Sequence, residues 1–249
     1  MTRREDLDNL RRANGLIIKQ AISALDGFWS KLDKTDVKAV RKAMADFVPK
    51  LVSSYGDLAA EAAAQWYADL RPGKDDFTAE LADPVTEDDV IRDTHEALGS
   101  LGTSAIEDVQ GNLAGAVQRQ IAYMARATIA RNIRRDPKHP RFARVPRGAR
   151  TCAFCTMLAS RGWVYWSKET AGLAHRFHRD CDCQIVPEWK RGEIHFAGYD
   201  PDKMFEQYAG SVDVVGSSFD TKAILADMRR RHPEALTDGV VKKLPAEEP

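Results

Sequence analysis

The chain has 249 residues, of which 37 are basic and 37 acidic, so its formal net charge is zero, and hydrophobic residues make up 43% of the total. No stretch approaches the ~18 consecutive apolar residues of a membrane helix, and the charged first ten residues lack the apolar core of a signal peptide. The sequence therefore predicts a soluble protein without membrane contacts, which matures in a reducing compartment and forms one large or two small domains.

Apolar residues recur every three or four positions up to about residue 135, which predicts a helical region over residues 1–135. The first helix is expected to end near Asp33, and the second to span residues 37–70, up to a Pro-Gly stop. Pro49 lies inside the second helix, where it removes one backbone hydrogen bond and should kink or divide the helix.

Two further helices complete this region. Thr86 can cap a short third helix, because Asp89 lies three residues further on. A longer apolar run begins at Ile106 and continues to the Asp136-Pro137 break, so it spans about 30 residues, or about 45 Å. Helices joined by short connections form bundles, and the predicted fold class is mainly α with an elongated N-terminal helical bundle.

Charge is distributed unevenly along the chain. Acidic residues are concentrated between Asp75 and Glu96, and basic residues between Arg126 and Arg150. The two stretches could pair with each other. Alternatively, the basic stretch makes non-specific contact with packaged DNA, or it is a solvated helix end followed by a linker. The last interpretation is favoured over DNA contact because no aromatic residues are interleaved with the arginines.

Beyond residue 135 the sequence changes character. Prolines and a glycine interrupt residues 136–150, which we interpret as a basic, proline-rich linker. Residues 151–195 should form a small α+β, zinc-ribbon-like module with a short helical turn and strands at 162–166 and 183–187. A module of this size has too small a core to be stable without a metal or another cross-link.

The remaining residues, 196–249, predict two short helices ahead of a Pro- and Glu-rich tail. Asp200 is placed to cap a helix over residues 203–208, and Asp220 precedes a helix over residues 222–231.

All four cysteines of the chain lie in one window of the predicted module. Two thiolates separated by two residues converge on one point, and a later His/Cys cluster can complete a tetrahedral shell around Zn²⁺. We therefore predict one structural zinc ion. The candidate ligands are Cys152, Cys155, His178, Cys181 and Cys183.

These five residues compete for four positions around the metal. Cys181 and Cys183 are separated by a single residue, and alternate residues of an extended chain are about 7 Å apart. One of the two is therefore expected not to bind the metal. Disulfides and buried thiols without a metal are the alternatives, and disulfides are disfavoured by the reducing compartment.

The cysteine window also resembles a known family. The run from Thr151 to Tyr165, Thr-Cys-Ala-Phe-Cys-Thr-Met-Leu-Ala-Ser-Arg-Gly-Trp-Val-Tyr, followed by His178-Arg-Asp-Cys-Asp-Cys, resembles the C-terminal signature of tailed-phage minor head proteins of the Mu protein F type. The likeness is greatest to versions from phages of actinobacteria. The helical N-terminal half and residues 220–232 fit that group too. In place of the usual His-Pro before Cys-x-Cys, this chain has His178-Arg179.

The resemblance implies a minor capsid protein that acts in head morphogenesis. Its partners would be the portal protein and the capsid or scaffold proteins. It would lie in the virion, in the head interior or near the portal, after passing through the host cytoplasm during assembly. Members of this group are also often labelled capsid maturation proteases, which gives the alternative function.

A protease needs a nucleophile, a base and an orienting group. The candidates by residue type are Ser160, Cys155, His175, His178, Asp180 and Asp182. The sequence contains neither Gly-x-Ser-x-Gly nor His-Glu-x-x-His, and the best base lies within the expected metal cluster. A structural role is therefore favoured, and no catalytic residue is assigned.

Overall fold

A computed structural model describes residues 4–147, 150–163, 183–190 and 197–239 of the protein. This part of the chain is mainly helical, with seven helices and one two-stranded antiparallel sheet. In chain order the elements are α1 (Arg4–Trp29), α2 (Val37–Leu70), α3 (Glu87–Ala97), α4 (Ile106–Arg135), β1 (Arg141–Val145), α5 (Ala153–Ala159), β2 (Gln184–Glu188), α6 (Pro201–Val215) and α7 (Thr221–Arg231).

The long helices α1, α2 and α4 form the predicted bundle, with α2 packed against both of the others. Their apolar stripes face one another, and the core between them includes the fully buried side chains of Leu25, Met44, Tyr67, Leu113 and Ile129. A Cβ atom at Gly56 of α2 would lie 3.0 Å from the Met124 side chain, so a glycine allows α2 and α4 to approach closely at this point.

The predicted helix starts are confirmed by their caps. The carboxylate of Asp36 accepts a hydrogen bond from the Ala39 amide at 2.9 Å, and the Thr86 hydroxyl accepts one from the Asp89 amide at 3.2 Å. The first helix ends at Trp29 rather than near Asp33, because the chain tightens there into three-residue turns.

Pro49 does not divide α2, which continues as one helix of 34 residues. The proline ring is buried in the bundle. It removes a single backbone hydrogen bond, which the packing of so long a helix outweighs.

An extended segment, residues 72–86, runs from the end of α2 to the start of α3 along the surface of α4. We call it the strap. The side-chain amide of Asn132 bonds both the amide and the carbonyl of Glu80, at 2.9 and 2.8 Å. The Thr128 hydroxyl accepts from the Ala82 amide at 3.0 Å. Side chains of α4 thus make the hydrogen bonds that the strap's backbone N–H and C=O groups would otherwise make to a neighbouring strand.

The sheet corrects the interpretation of residues 136–150 as a linker, since β1 lies within them. β1 pairs with β2 in a register that places Ala143 opposite Val186. Pro140 and Pro146 flank the strand instead of interrupting it, and Phe142 to Val145 are buried. β2 confirms the strand predicted at 183–187. Of the strand predicted at 162–166, the structure describes only Gly162 and Trp163, which do not lie in a strand.

The C-terminal helices pack on the cysteine region. α5 contacts β1, α6 and α7, and α6 is longer than the helix predicted at 203–208. The helix predicted at 222–231 is confirmed by α7, whose N-cap is Asp220. Among the described ranges, the structure contains no helix whose length and hydropathy would let it cross a membrane.

Candidate metal centre

Two of the predicted ligands lie at the start of α5. Cys152 is the N-cap residue, and its Sγ accepts a hydrogen bond from the Cys155 amide at 3.3 Å. Cys155 lies in the first turn and is fully buried, while Cys152 is 8% exposed. A sulfur in the N-cap position takes the role that an oxygen usually has.

A third predicted ligand, Cys183, joins them from the start of β2. Its Sγ lies 3.4 Å from the Sγ of Cys155, and its side chain is fully buried. Two sulfurs bound to one tetrahedral zinc at 2.3 Å each are separated by about 3.8 Å. The observed separation is therefore close to that of two ligands of one metal ion.

Two buried arginines hold Cys183. Arg144 of β1, which is 0% exposed, donates a hydrogen bond from Nη2 to the Cys183 Sγ at 2.8 Å. Arg126 of α4 donates from Nε to the Cys183 carbonyl at 3.1 Å. The two hydrogen bonds join the start of β2 to β1 and to α4.

The other predicted ligands, His178 and Cys181, lie outside the described residues, as does His175. Within the described part of the chain, no group of three or more His, Cys, Asp or Glu side chains is arranged to hold a metal ion. The described donors are sulfurs, the atom type that soft or borderline ions such as Zn²⁺ prefer.

The structure reveals a polar centre that the sequence did not predict, at Asp136. Its buried carboxylate accepts hydrogen bonds from the Tyr67 hydroxyl, the Arg71 guanidinium and the Trp189 indole, at 2.9 to 3.0 Å. The Lys138 amide donates a further one at 2.9 Å. Burial favours the neutral acid, but these hydrogen bonds, led by that of Arg71, outweigh it, so the pKa of Asp136 lies below its ordinary value.

The basic stretch pairs in part with the acidic stretch, which confirms one of the three interpretations. Arg131 contacts Glu80 at 3.0 Å and Asp83 at 3.1 Å, and Lys138 contacts Asp75 at 3.1 Å. Arg126 and Arg144 are buried and cannot reach DNA in this conformation. The exposed members are Arg134, Arg135, Lys138, Arg147 and Arg150. For these, contact with packaged DNA stays a prediction.

Ser160, a candidate nucleophile of the protease alternative, is the C-cap residue of α5. Its hydroxyl donates to the Met157 carbonyl at 2.8 Å, and the residue is 8% exposed. The hydroxyl is thus used to close the last turn of the helix. The candidate bases and acids lie outside the described residues.

The sequence match defines the class of the protein. The chain belongs to the VG15 protein family, whose model matches residues 1–211. This is a family of phage proteins, so the phage origin implied by the resemblance is confirmed, while membership of the Mu protein F type stays a prediction. The match covers the bundle, all four cysteines and most of α6. No curated protein and no solved structure matches the chain.

Proposed function

We propose that the protein is a minor head structural protein of a tailed phage, associated with the portal and the procapsid and acting in head morphogenesis. The observation that carries the proposal is the match of residues 1–211 to a family of phage proteins. The cysteine window resembles minor head proteins of the Mu protein F type, and this resemblance supports a role in the phage head.

The use of polar groups in the described fold supports a structural role. The buried polar side chains join elements to one another: Asp136 joins α2 to the residue after β2, and Asn132 fixes the strap to α4. The three described cysteines are buried between α5, β1 and β2. A catalytic metal keeps an open position for water, whereas structural sites are closed.

The proposal includes one structural zinc ion. Cys152, Cys155 and His178 would hold it with Cys181 or Cys183, and the metal would cross-link the start of α5 to the segment that leads into β2. Binding energy at such a site is folding energy. The ion would therefore add stability to the region of α5 and β2.

The direct test is the protein composition of procapsids. We expect mass spectrometry of purified wild-type procapsids to detect the protein at low copy number relative to the major capsid protein. Procapsids assembled without portal protein are the matched control, and they should lack it. In a second arm, the purified full-length chain should co-sediment with purified portal assemblies.

The outcomes separate the parts of the proposal. Absence of the protein from wild-type procapsids and mature heads would contradict a head role altogether. Equal amounts of the protein in procapsids with and without portal protein would overturn the association with the portal. The partner would then be a capsid or scaffold protein of the shell.

A further inference from the structure

A groove lies on the helical bundle between α2, the end of the strap and α3, and its volume is about 510 Å³. Its floor is apolar, because the buried side chains of Val52, Val90 and Met124 line it. Its edges are exposed, at Ser53 of α2 and at Pro84 of the strap. The groove can therefore take up an apolar side chain that approaches from solvent.

The edges of this groove carry acidic side chains. Asp57 and Glu87 line it and are exposed, and neither forms an ion pair with any residue that the structure describes. The described lining includes one basic side chain, Lys50. On the strap the balance of charge is different, since Glu80 is paired with Arg131 at 3.0 Å. The groove thus combines an apolar floor with carboxylates that remain available for a basic partner.

The exposed face of α1 has the opposite charge. Leu16 is 62% exposed, more than any other large apolar side chain in the described helices of the bundle. Arg12 and Lys19, one turn before and one turn after Leu16, are exposed as well, and residues three or four positions apart share one face of a helix. Neither Arg12 nor Lys19 forms an ion pair within the described ranges. α1 thus presents an apolar side chain between two cations.

We propose that the groove of one copy of this chain receives Leu16 of a second copy, with Arg12 and Lys19 lying against Asp57 and Glu87. The two surfaces are different, so the contact is heterologous. Repeating it joins copies head to tail into a closed ring or an open chain. The inference goes beyond the proposed head role, because it concerns the association of the purified chain with itself.

The chemistry of the groove favours a second copy over nucleic acid or a small molecule. Carboxylates at the edges repel phosphate groups. A small-molecule site encloses most of its ligand, whereas this groove is open between Ser53 and Pro84. In the proposed contact the buried leucine supplies most of the affinity, and the exposed charges orient the two copies as they approach each other.

The experiment is sedimentation velocity of the reduced full-length chain over a series of concentrations. We expect the wild type to associate as its concentration rises. Leu16→Ser should weaken this association roughly 10- to 100-fold, because the buried leucine is lost. Ile106→Ser is the matched control, at another exposed apolar side chain of the bundle, and it should leave the association unchanged.

The groove is tested by filling it. Ser53→Trp places an indole there and should weaken the association about as much as Leu16→Ser does. Ser218→Trp, at an exposed serine outside both surfaces, should have no effect.

A mixture of Leu16→Ser and Ser53→Trp tests whether the two surfaces fit each other. The first variant keeps an open groove and the second keeps its leucine, so one contact remains possible between them. We expect the mixture to form a dimer and nothing larger, although neither variant associates alone. Circular dichroism checks that both variants are folded.

The acidic edges are tested by a double variant, Asp57→Asn with Glu87→Gln. It should make the association weaker and less dependent on salt, because screened charge pairs are lost. Glu107→Gln is the matched control, since Glu107 lies in the first turn of α4 as Glu87 does in that of α3.

A wild-type chain that stays monomeric at every concentration would overturn the inference. Association that survives either Leu16→Ser or Ser53→Trp would also overturn it, as would a mixture that forms no dimer. If Ser53→Trp does not fold, the double variant decides, and an unchanged salt dependence contradicts the groove. If the wild type is monomeric and Ser53→Trp abolishes co-sedimentation with portal assemblies, a partner protein occupies the groove instead of a second copy. Each of these results leaves the proposed head role standing.

Discussion

The carboxylate of Asp136 joins parts of the chain that are far apart in sequence. It accepts hydrogen bonds from Tyr67 and Arg71 at the end of α2 and from Trp189, the residue after β2. A carboxylate with several donors and a guanidinium partner remains ionised although it is buried. Asp136 is therefore one of the residues that join the bundle to the sheet.

Replacing Asp136 with Asn should destabilise the protein by about 3 kcal/mol, the cost of removing one partner from a buried ion pair. The value lies at the low end of the expected range because Arg71 keeps its contact with Asp75, at 2.6 Å. Urea unfolding followed by circular dichroism measures the change. The matched control is Asp75→Asn, which removes the more exposed carboxylate and should cost clearly less.

The effect of Asp136→Asn should depend on pH in a defined direction. The pKa of Asp136 is lowered in the folded protein, so its ionised form contributes stability above the ordinary aspartate pKa of about 3.9. That stability is lost as the pH falls through the folded-state pKa. The difference between wild type and variant should therefore be constant near neutral pH and shrink in acid. A difference that grows as the pH falls would contradict this account.

At the scale of single residues, contacts between residues close in sequence can be predicted from the sequence, and contacts between distant residues cannot. Thr86 is recognisable as a cap because its partner, Asp89, is three residues away. Asp136 appears in the sequence only as part of an Asp-Pro break, because its partners Tyr67 and Trp189 lie 69 and 53 residues away. The cysteines were found because their residue type and spacing carry the chemistry.

At the scale of elements, the strap is held on α4 by a side chain that makes the hydrogen bonds a neighbouring strand would make. Asn132 is fully buried and bonds the amide and the carbonyl of one residue, Glu80. Ionic contacts from Arg131 and Arg135 to Glu80 and Asp83 lie at the surface and contribute little by comparison. The amide of Asn132 is therefore expected to carry most of the strap's attachment to α4.

Asn132→Ala should destabilise the protein by about 2 kcal/mol, since two hydrogen bonds to the strap are lost. Amide hydrogen exchange should show faster exchange at Glu80, with smaller changes in the core of α4. Thr128→Val is the matched control, because it removes the single bond to the Ala82 amide and preserves the shape of the side chain. Unchanged exchange at Glu80 in Asn132→Ala would show that the amide does not fasten the strap.

The long helices can be predicted from the sequence, whereas the first strand of the sheet cannot. The apolar period of α2 and α4 recurs over 34 and 30 residues, so their existence and bounds were predicted closely. β1 was missed because its five residues carry two arginines and lie between prolines. Arg144 is buried in the strand by its contact with Cys183, and no local pattern indicates such a partner 39 residues away.

At the scale of the whole molecule, the helical region and the cysteine region are joined at several points. Arg4 and Arg11 of α1 donate to the carbonyls of Ala197 and Val145, at 2.6 and 3.0 Å. The main apolar core continues from the bundle to Phe142, the described cysteines and Ile185. A change at the cysteines is therefore expected to reach the bundle surfaces on which the proposed head partners would bind.

The most direct measurement of the proposed head role is complementation of a phage that lacks this gene. We expect the null phage to form few filled heads by electron microscopy, and the full-length chain supplied in trans to restore them. Ser160→Ala should restore them equally well and leave capsid-protein processing unchanged, because the Ser160 hydroxyl closes a helix turn. If a folded Ser160→Ala protein left uncleaved capsid or scaffold protein, or if the null phage assembled normal filled heads, the structural head role would be contradicted.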